Sequence, residues 1–208
     1  MSPAKTVAIR RATLDDVPAL AAVMTDAFLR TPDSVWLIPD TATRRRIFAR
    51  FVPRLLTFAI LGGRVDTTSD CDAAAVWWNT THLDVGGYQA IIAETCHPYI
   101  DAFTRLGQVL AMVEPTVPHE TLAYLGVAPL RQQQGIGTAL LRHGHHRLDH
   151  TGTPAYLVAS TARSRDLYLR HGYQPTTDAP AHLPGGPPLW PMHRPPQATT
   201  PAPRRARP

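Results

Sequence analysis

Strand and helix signals alternate along these 208 residues in the manner of a mixed α/β (α+β) domain, a central mixed sheet with helices on its faces. Leu122–Leu141 (LAYLGVAPLRQQQGIGTALL) carries the clearest signal. An apolar run stops at Ala128-Pro129, a polar turn with two glycines follows, and Ile136, Leu140 and Leu148, with Ala139 beside them, then repeat at helical spacing. The same order returns in PAYLVAST (Pro154–Thr161) and ARSRDLYLRHG (Ala162–Gly172), after which Tyr173 opens another strand.

The remaining elements follow in chain order. Val7–Arg11 alternates as a first strand, and Thr13 is a good N-cap with Asp15 and Asp16 in the first turn. Val17, Leu20, Ala21, Met24 and Phe28 make one apolar helical face, ending near Arg30. Thr31–Asp40 is turn-rich and holds Trp36; Thr41–Leu61 reads as a second helix that Pro53 kinks or restarts. Arg64–Asp66 and Ala73–Trp78 are strands joined by the polar turn Thr67–Asp72. His82–His119 is helical in period and broken near His97-Pro98, an ordered insertion of the kind that builds binding sites. Gly185–Met192 is the last strand. Residues 1–193 are therefore expected to form one domain, and Arg194–Pro208 a disordered tail rich in Pro and Arg.

Composition narrows the function. With 44% hydrophobic residues the chain can bury a core without disulfide or metal. Two cysteines, Cys71 and Cys96, give no disulfide pattern, so a reducing cytoplasm is the simplest setting. No apolar run reaches the ~18 residues of a membrane span, and no membrane partner is expected. The net charge of +5 comes from scattered arginines, three of them (Arg204, Arg205, Arg207) in the last five residues. No stripe of interleaved basic and aromatic residues marks nucleic-acid binding, and a basic balance equally suits an acidic small ligand. His143, His145, His146 and His150 lack a carboxylate or cysteine to complete a metal site, so no metal is expected. Monomer and homodimer are both open.

The glycine turn is built for an anion. Gly135 and Gly137 admit close backbone approach, and the free N–H groups of a helix's first turn, with its dipole, suit a phosphate or pyrophosphate. The pattern is neither a P-loop nor a dinucleotide fingerprint. Gln132-x-x-Gly135-x-Gly137, after a strand ending Val127-Ala128-Pro129, resembles the acetyl-CoA pyrophosphate loop of the GNAT superfamily of N-acetyltransferases. Leu167-Tyr168-x-Arg170-x-Gly172-Tyr173 is similar to a second signature of that superfamily, in its order and at its usual separation. The resemblance covers about Val7 to His193. Ile9-Arg10-x-Ala12-Thr13-x-Asp15-Asp16-Val17-Pro18, Ala27-Phe28, Ala75-Val76-Trp77, Gly126-Val127-x-Pro129 and Leu183-Pro184-x-Gly186-Pro187-x-x-Trp190-x-Met192 are similar to the puromycin N-acetyltransferase group and its actinobacterial relatives.

The resemblance implies a GNAT fold whose fourth and fifth strands splay apart, with the helical insertion before the fourth strand. It implies acetyl-CoA as co-substrate, pantetheine lying along the backbone at Leu125, Gly126 and Val127, and pyrophosphate on Gln132, Gln133, Gln134, Gly135, Ile136, Gly137 and Thr138. Ser164 stands where the family has Asn and is a candidate for the pantetheine arm. Tyr168 would protonate the departing thiolate. Thr121 and Val158 occupy positions where relatives often carry a carboxylate base, so Glu120 and His119 are the substitutes, unless the amine arrives neutral. Phe28, Trp77 and Trp78 are the candidate acceptor-binding residues. The activity so implied is acetylation of a small-molecule primary amine, such as an aminonucleoside or another antibiotic. A protein lysine or N-terminus, a non-catalytic acyl-CoA binder and a nucleic-acid binder using the basic tail are the alternatives.

Overall fold

Residues 7–198 are described by a computed structural model. The elements run β1 (Ile9–Arg11), α1 (Val17–Phe28), α2 (Pro32–Leu37), α3 (Thr41–Gly62), β2 (Arg64–Thr68), β3 (Ala73–Asn79), α4 (Val85–Thr95) and α5 (Ile100–Val113). They continue with β4 (Glu120–Val127), α6 (Ile136–Thr151), β5 (Ala155–Ala159), α7 (Ala162–Arg170), β6 (Gln174–Pro175), β7 (Ala181–His182) and β8 (Pro188–Arg194). The expected mixed α/β architecture is present. The sheet order is β1-β2-β3-β4-β5-β8-β6, with β7 added to β8. Every neighbouring pair is antiparallel except β4–β5, which is parallel.

Each face of the sheet has its own core. On one face, Ala73, Ala75 and Trp77 of β3 meet Ile136, Leu140, Leu141 and Leu148 of α6 and Tyr168 of α7. On the other, Ala74 and Val76 meet Leu20 and Met24 of α1 and Ile47, Leu55 and Leu56 of α3. The run of small residues in β3 lets both helical layers approach a strand that is buried from Ala73 to Trp77. Gly144 shows how closely: a Cβ there would lie 2.4 Å from the Trp77 ring. The insertion lies on the α1/α3 face. Phe103, Tyr88, Ile91 and Tyr99 join the α3 core, while Val109, Leu106 and Leu110 pack with Leu183, Leu189 and Val158 near β5 and β8.

Three local expectations change. Thr31–Asp40 is not all loop. Pro32 starts a short helix, α2, and buried Arg44 clamps both ends of it, donating from Nε to Leu29 O at 2.6 Å and from Nη1 to Ile38 O. Pro53 sits inside α3 as one continuous element, carried by its buried face of Ile47, Phe48, Phe51, Val52, Leu55 and Leu56. Strand β8 extends to Arg194, which is 3% exposed and paired with Asp149 of α6 at 2.7 and 2.8 Å. Gln197 N–H donates to the same carboxylate at 2.8 Å, so the chain past His193 begins docked. The rest of the expected tail, 199–208, lies outside the described residues. No helix among the described residues is long and apolar enough to cross a membrane.

The Asp149–Arg194 pair gives a stability test. Arg194 hydrogen bonds hold the Asp149 carboxyl below its ordinary 3.8, against the opposing effect of burial. A depressed folded-state value means stability that is present above the unfolded value and lost as pH falls through the folded one. Asp149→Asn leaves a buried guanidinium without its counter-charge and is expected to cost about 3–5 kcal/mol in urea unfolding at neutral pH. The difference from wild type should shrink as pH drops below 3.8; a constant difference would mean that charge is not what the pair contributes.

Candidate functional site

Strands β4 and β5 pair only at Glu120↔Ala155 and Thr121↔Tyr156. Beyond that point β4 stays on β3 and β5 stays on β8, so a V-shaped cleft opens between them. A bulge helps to set it. The β3–β4 register steps from Val76↔Tyr124 to Trp77↔Leu122, leaving Ala123 as the extra residue. Side-chain phase therefore switches along β4. Leu122, Leu125 and Val127 all contribute to the α6 face, and Tyr124 to the α1/α3 face.

At the open end of the V lies the start of α6. The loop reaches it through two left-handed residues, Gln133 at φ 63° and Gly135 at φ 81°, a backbone arrangement that turns successive N–H groups inward. Gly135 is the N-cap, and no side chain caps this helix. Asp40 caps α3, Asp84 caps α4 and Thr161 caps α7, each accepting from a first-turn amide, whereas α1, α2 and α5, like α6, start without a side-chain cap. The amides of Ile136, Gly137 and Thr138 are left free, as an anion-binding terminus requires. A Cβ on Gly137 would touch Leu125, Val127 and Leu167 at 3.9–4.0 Å, so these three side chains line the cleft beside the amides. Leu167 is a lining residue that the motif concealed, since it sits beside the conspicuous Tyr168.

Several expected cofactor residues serve the loop rather than point into it. Gln132 Nε2 donates to Val127 O at 3.1 Å and Gln134 Nε2 to Leu130 O at 3.1 Å, bracing the turn from within. The Thr138 hydroxyl lies 3.2 Å from His171 Nε2. Gly126 is a glycine because of α1: a Cβ there would fall 2.5 Å from Met24 Sδ. Ser164 is engaged in capping α7, donating to Thr161 O at 2.9 Å and accepting from Thr161 N at 3.2 Å. Its only donor is used, which corrects the expectation that it serves the pantetheine arm.

Tyr168 lies at 8% exposure on the α6/α7 face, edge-on to Tyr173 at 5.7 Å. Its hydroxyl has no hydrogen-bond partner among the described residues. Burial pushes its pKa above the ordinary 10, so the phenol is a proton donor throughout the neutral range. The two substitute bases fare differently. Glu120 points to the α6 face, gripped by Arg147 at 2.7 and 2.6 Å, because alternation puts it opposite Thr121. His119 is buried, with Nδ1 donating to Val117 O at 2.7 Å, Nε2 turned towards Glu114 and its ring edge-on to Tyr156. Both Glu120 oxygens are committed to Arg147, while His119 Nε2 is buried without a hydrogen bond, 3.5 Å from Glu114 Oε1, so neither is assigned as the base. Thr121 Oγ1 is buried with no partner, and Val158 packs against the α5 core.

The two tryptophans separate as alternation requires. Trp77 is 1% exposed beneath Gly144 of α6, which corrects its assignment to an acceptor pocket. Trp78 turns to the insertion face. There it stands 5.2 Å from Tyr88 and 5.9 Å from Tyr124, while Phe28 stands 5.8 Å from Tyr124, all edge-on. The Tyr88 and Tyr124 hydroxyls lie 3.1 Å apart. These four half-buried rings form a wall beside the cleft. Tyr88 and Tyr124 escaped the sequence reading because one lies in the insertion and the other changes face at the bulge.

Comparison with known proteins agrees with this geometry. Residues 90–175 match the family model described as an acetyltransferase (GNAT) domain. A Corynebacterium glutamicum structure described as histone acetyltransferase HPA2 and related acetyltransferase superimposes with a TM-score of 0.68 at 23% identity, covering 94% of this chain and 99% of that one. Arylalkylamine N-acetyltransferase 2 from Aedes aegypti gives 0.66 at 9% identity, covering 93% and 100%. The PaiA N-acetyltransferase from Thermoplasma acidophilum, solved with coenzyme A, gives 0.57 at 12% identity, covering 91% and 98%.

The loop geometry predicts the outcome of one substitution. A Cβ at Gly135 meets nothing within 4 Å, so only its backbone conformation and the charge of a new side chain are at issue. Gly135→Asp should cost about 1–2 kcal/mol of stability through left-handed strain. It should also abolish the rise in melting temperature that inorganic pyrophosphate gives the wild type. A variant still stabilised by pyrophosphate would place the anion elsewhere.

Proposed function

We propose that this GNAT-type acyltransferase moves an acetyl group from acetyl-CoA to a primary amine of a small molecule, by direct attack and without a covalent enzyme intermediate. The observation that carries the reading is the V between β4 and β5, which has an uncapped helix N-terminus at its open end and an unpartnered phenol on its α7 side. The residues fit the donor. Free amides and Gly137 suit a pyrophosphate, the apolar side chains of Leu125, Val127 and Leu167 suit the arm, and the β5-side edge of β4 is free to pair with pantetheine amides as an added strand.

Acetyl-CoA supplies an acyl group already activated as a thioester. The chain's own part is positioning and proton supply. The amine nitrogen, as free base, forms the C–N bond at the acetyl carbonyl; the C–S bond breaks; Tyr168 gives its hydroxyl proton to the departing sulfur. The proton lost by the amine goes to water, and water restores the phenol. With Glu120 and His119 held elsewhere, no side-chain base is assigned to this step.

A small acceptor is favoured by the insertion, which roofs the cleft face opposite α6. The stretch that resembles the puromycin N-acetyltransferase group supports the same side. Leu183 is buried, Pro184 O accepts from Trp36 Nε1 at 3.1 Å, and Gly186 lies against the Trp36 ring, so this stretch closes the corner over Val158. An aminonucleoside or another amine antibiotic is the acceptor this proposal names. A protein lysine is the second reading, favoured by the likeness to the C. glutamicum structure described as a histone acetyltransferase. A thiol-release assay with acetyl-CoA decides between them, using puromycin, simple amines and a lysine-bearing histone-tail peptide as acceptors. CoA at about 100 times its Kd should add roughly 2.7 kcal/mol of stability; no stabilisation would remove the acyl-CoA reading.

Tyr168→Phe keeps the ring and its packing against Tyr173 and removes only the donor. The expected result is a folded protein with unchanged CoA affinity and a single-turnover rate lower by about 10²-fold, the usual scale for one positioned acid. The loss should appear in kcat and kcat/KM alike. An unchanged single-turnover rate would rule Tyr168 out as the acid.

A further inference from the structure

A groove of about 560 Å³ runs between α6 and the end of α7, and the mechanism above uses none of the side chains that line it. Arg142, His146 and Asp149 come from α6, and Arg170 and His171 from the end of α7. The groove begins beside the free amides of α6. His171 Nε2 lies 3.2 Å from Thr138 Oγ1 in the first turn, and Arg142 follows four residues, about 6 Å, further along the helix.

The lining is cationic, and its one carboxylate is already used. Asp149 Oδ1 accepts from Arg194 Nη1 at 2.7 Å and from Gln197 N–H at 2.8 Å, and Oδ2 accepts from Arg194 Nη2 at 2.8 Å. Arg142 and Arg170 are exposed and have no hydrogen bond or ion pair among the described residues. After burial, the charges of Arg142, Arg170 and Arg194 are what hold the His171 imidazole below its ordinary pKa. A cleft walled by one sign of charge concentrates the opposite ion. The floor adds donors. Gly172, at φ 84°, has no side chain, and a Cβ there would fall 3.3 Å from Gln197 Nε2 and 3.7 Å from Arg194 Nε. Arg194 Nε is buried without a partner, an N–H left over after both other nitrogens are spent on Asp149. Carbonyls at the end of α7 would repel an anion, but Tyr168 O accepts from the N–H groups of His171 and Tyr173, and Leu169 O from that of Gly172.

We infer that this groove is a second anion site, separate from the α6 amides, and that it takes the dianionic end of a phosphate monoester between Arg142 and Arg170, with His146 and His171 beside it. Guanidinium forks match phosphate oxygens in pairs, and two of them facing one groove suit a doubly charged group. Two sources carry that chemistry: the 3′-phosphate of a CoA thioester, and a separate phosphorylated small molecule. The site is the same whichever supplies it, and it does not depend on the acetyl-transfer reading.

The test is an NMR titration of the full-length, ¹⁵N-labelled protein with phenyl phosphate, and with benzyl alcohol as a neutral control. The backbone amides of Arg142, His146 and Gly172 should shift to saturation with the phosphate and stay still with the alcohol. Changing Arg142→Gln and Arg170→Gln together should weaken that binding by about tenfold, the scale of two exposed charge contacts. Shifts confined to Gly137 and Thr138 would overturn the inference, because the anion would then sit on the helix start alone. So would an equal response to benzyl alcohol, or phosphate binding to the folded double variant within about threefold of wild type. The wild-type comparison needs no variant and decides the matter if the double variant does not fold. CoA and dephospho-CoA then separate the sources. A preference for CoA of about tenfold that the double variant loses assigns the groove to the donor. Equal affinities, with the groove amides still answering phenyl phosphate in CoA-loaded protein, assign it to a separate molecule. Both results uphold the site. If neither CoA nor dephospho-CoA binds wild type, it is the acetyl-transfer reading that falls, and the phenyl phosphate result still decides the groove.

Discussion

Everything in this molecule that resembles a site depends on two strands that stop pairing. β4 and β5 share backbone bonds at two positions and then part, although both continue for several residues. A sheet interior does not normally forgo its ladder, since each buried N–H or C=O left without a partner costs about 1–3 kcal/mol. Here the divergence is built in: the antiparallel partners β3 and β8 hold the two strands apart, and the bulge at Ala123 alters the run of β4 just past the last shared pair. The freed edge of β4 is then a template for an extended ligand, and the α6 amides lie where that ligand's charged end would fall.

The two faces of the cleft carry different chemistry because the cores behind them differ. On the α6/α7 side, aliphatic side chains and Tyr168 surround backbone donors, an environment for a flexible arm with an anionic head. On the insertion side, the rings of Phe28, Trp78, Tyr88 and Tyr124 stand edge-on to one another. The strand parity of β3 enforces the division: Trp77 and Trp78 are adjacent in sequence, yet one is sealed under Gly144 and the other joins the wall.

Much of this was legible in the sequence, and the failures share a cause. Patterns tied to backbone geometry carried through: glycines at the loop, alternating strands and the interrupted helical insertion. What the sequence did not reveal was which way a side chain turns when a neighbour decides. Glu120 carries a chemically suitable group, but Arg147 stands one layer away to claim it. Ser164 looked available until Thr161 was placed three residues before it on the same turn. Arg194 read as tail because its partner, Asp149, is 45 residues distant.

The uncapped start of α6 has a consequence for how this protein meets changes in acidity. Its donors are peptide N–H groups, which neither gain nor lose protons under physiological conditions. The nearest imidazole, His171 against Thr138, is held below its ordinary pKa, first by burial and then by the charges of Arg142, Arg170 and Arg194. His145, deeper on the same helix, is pushed down to about 3, chiefly by burial. An anion seated on these amides therefore sits among groups whose charge is constant around neutrality, and its retention there has no built-in proton switch.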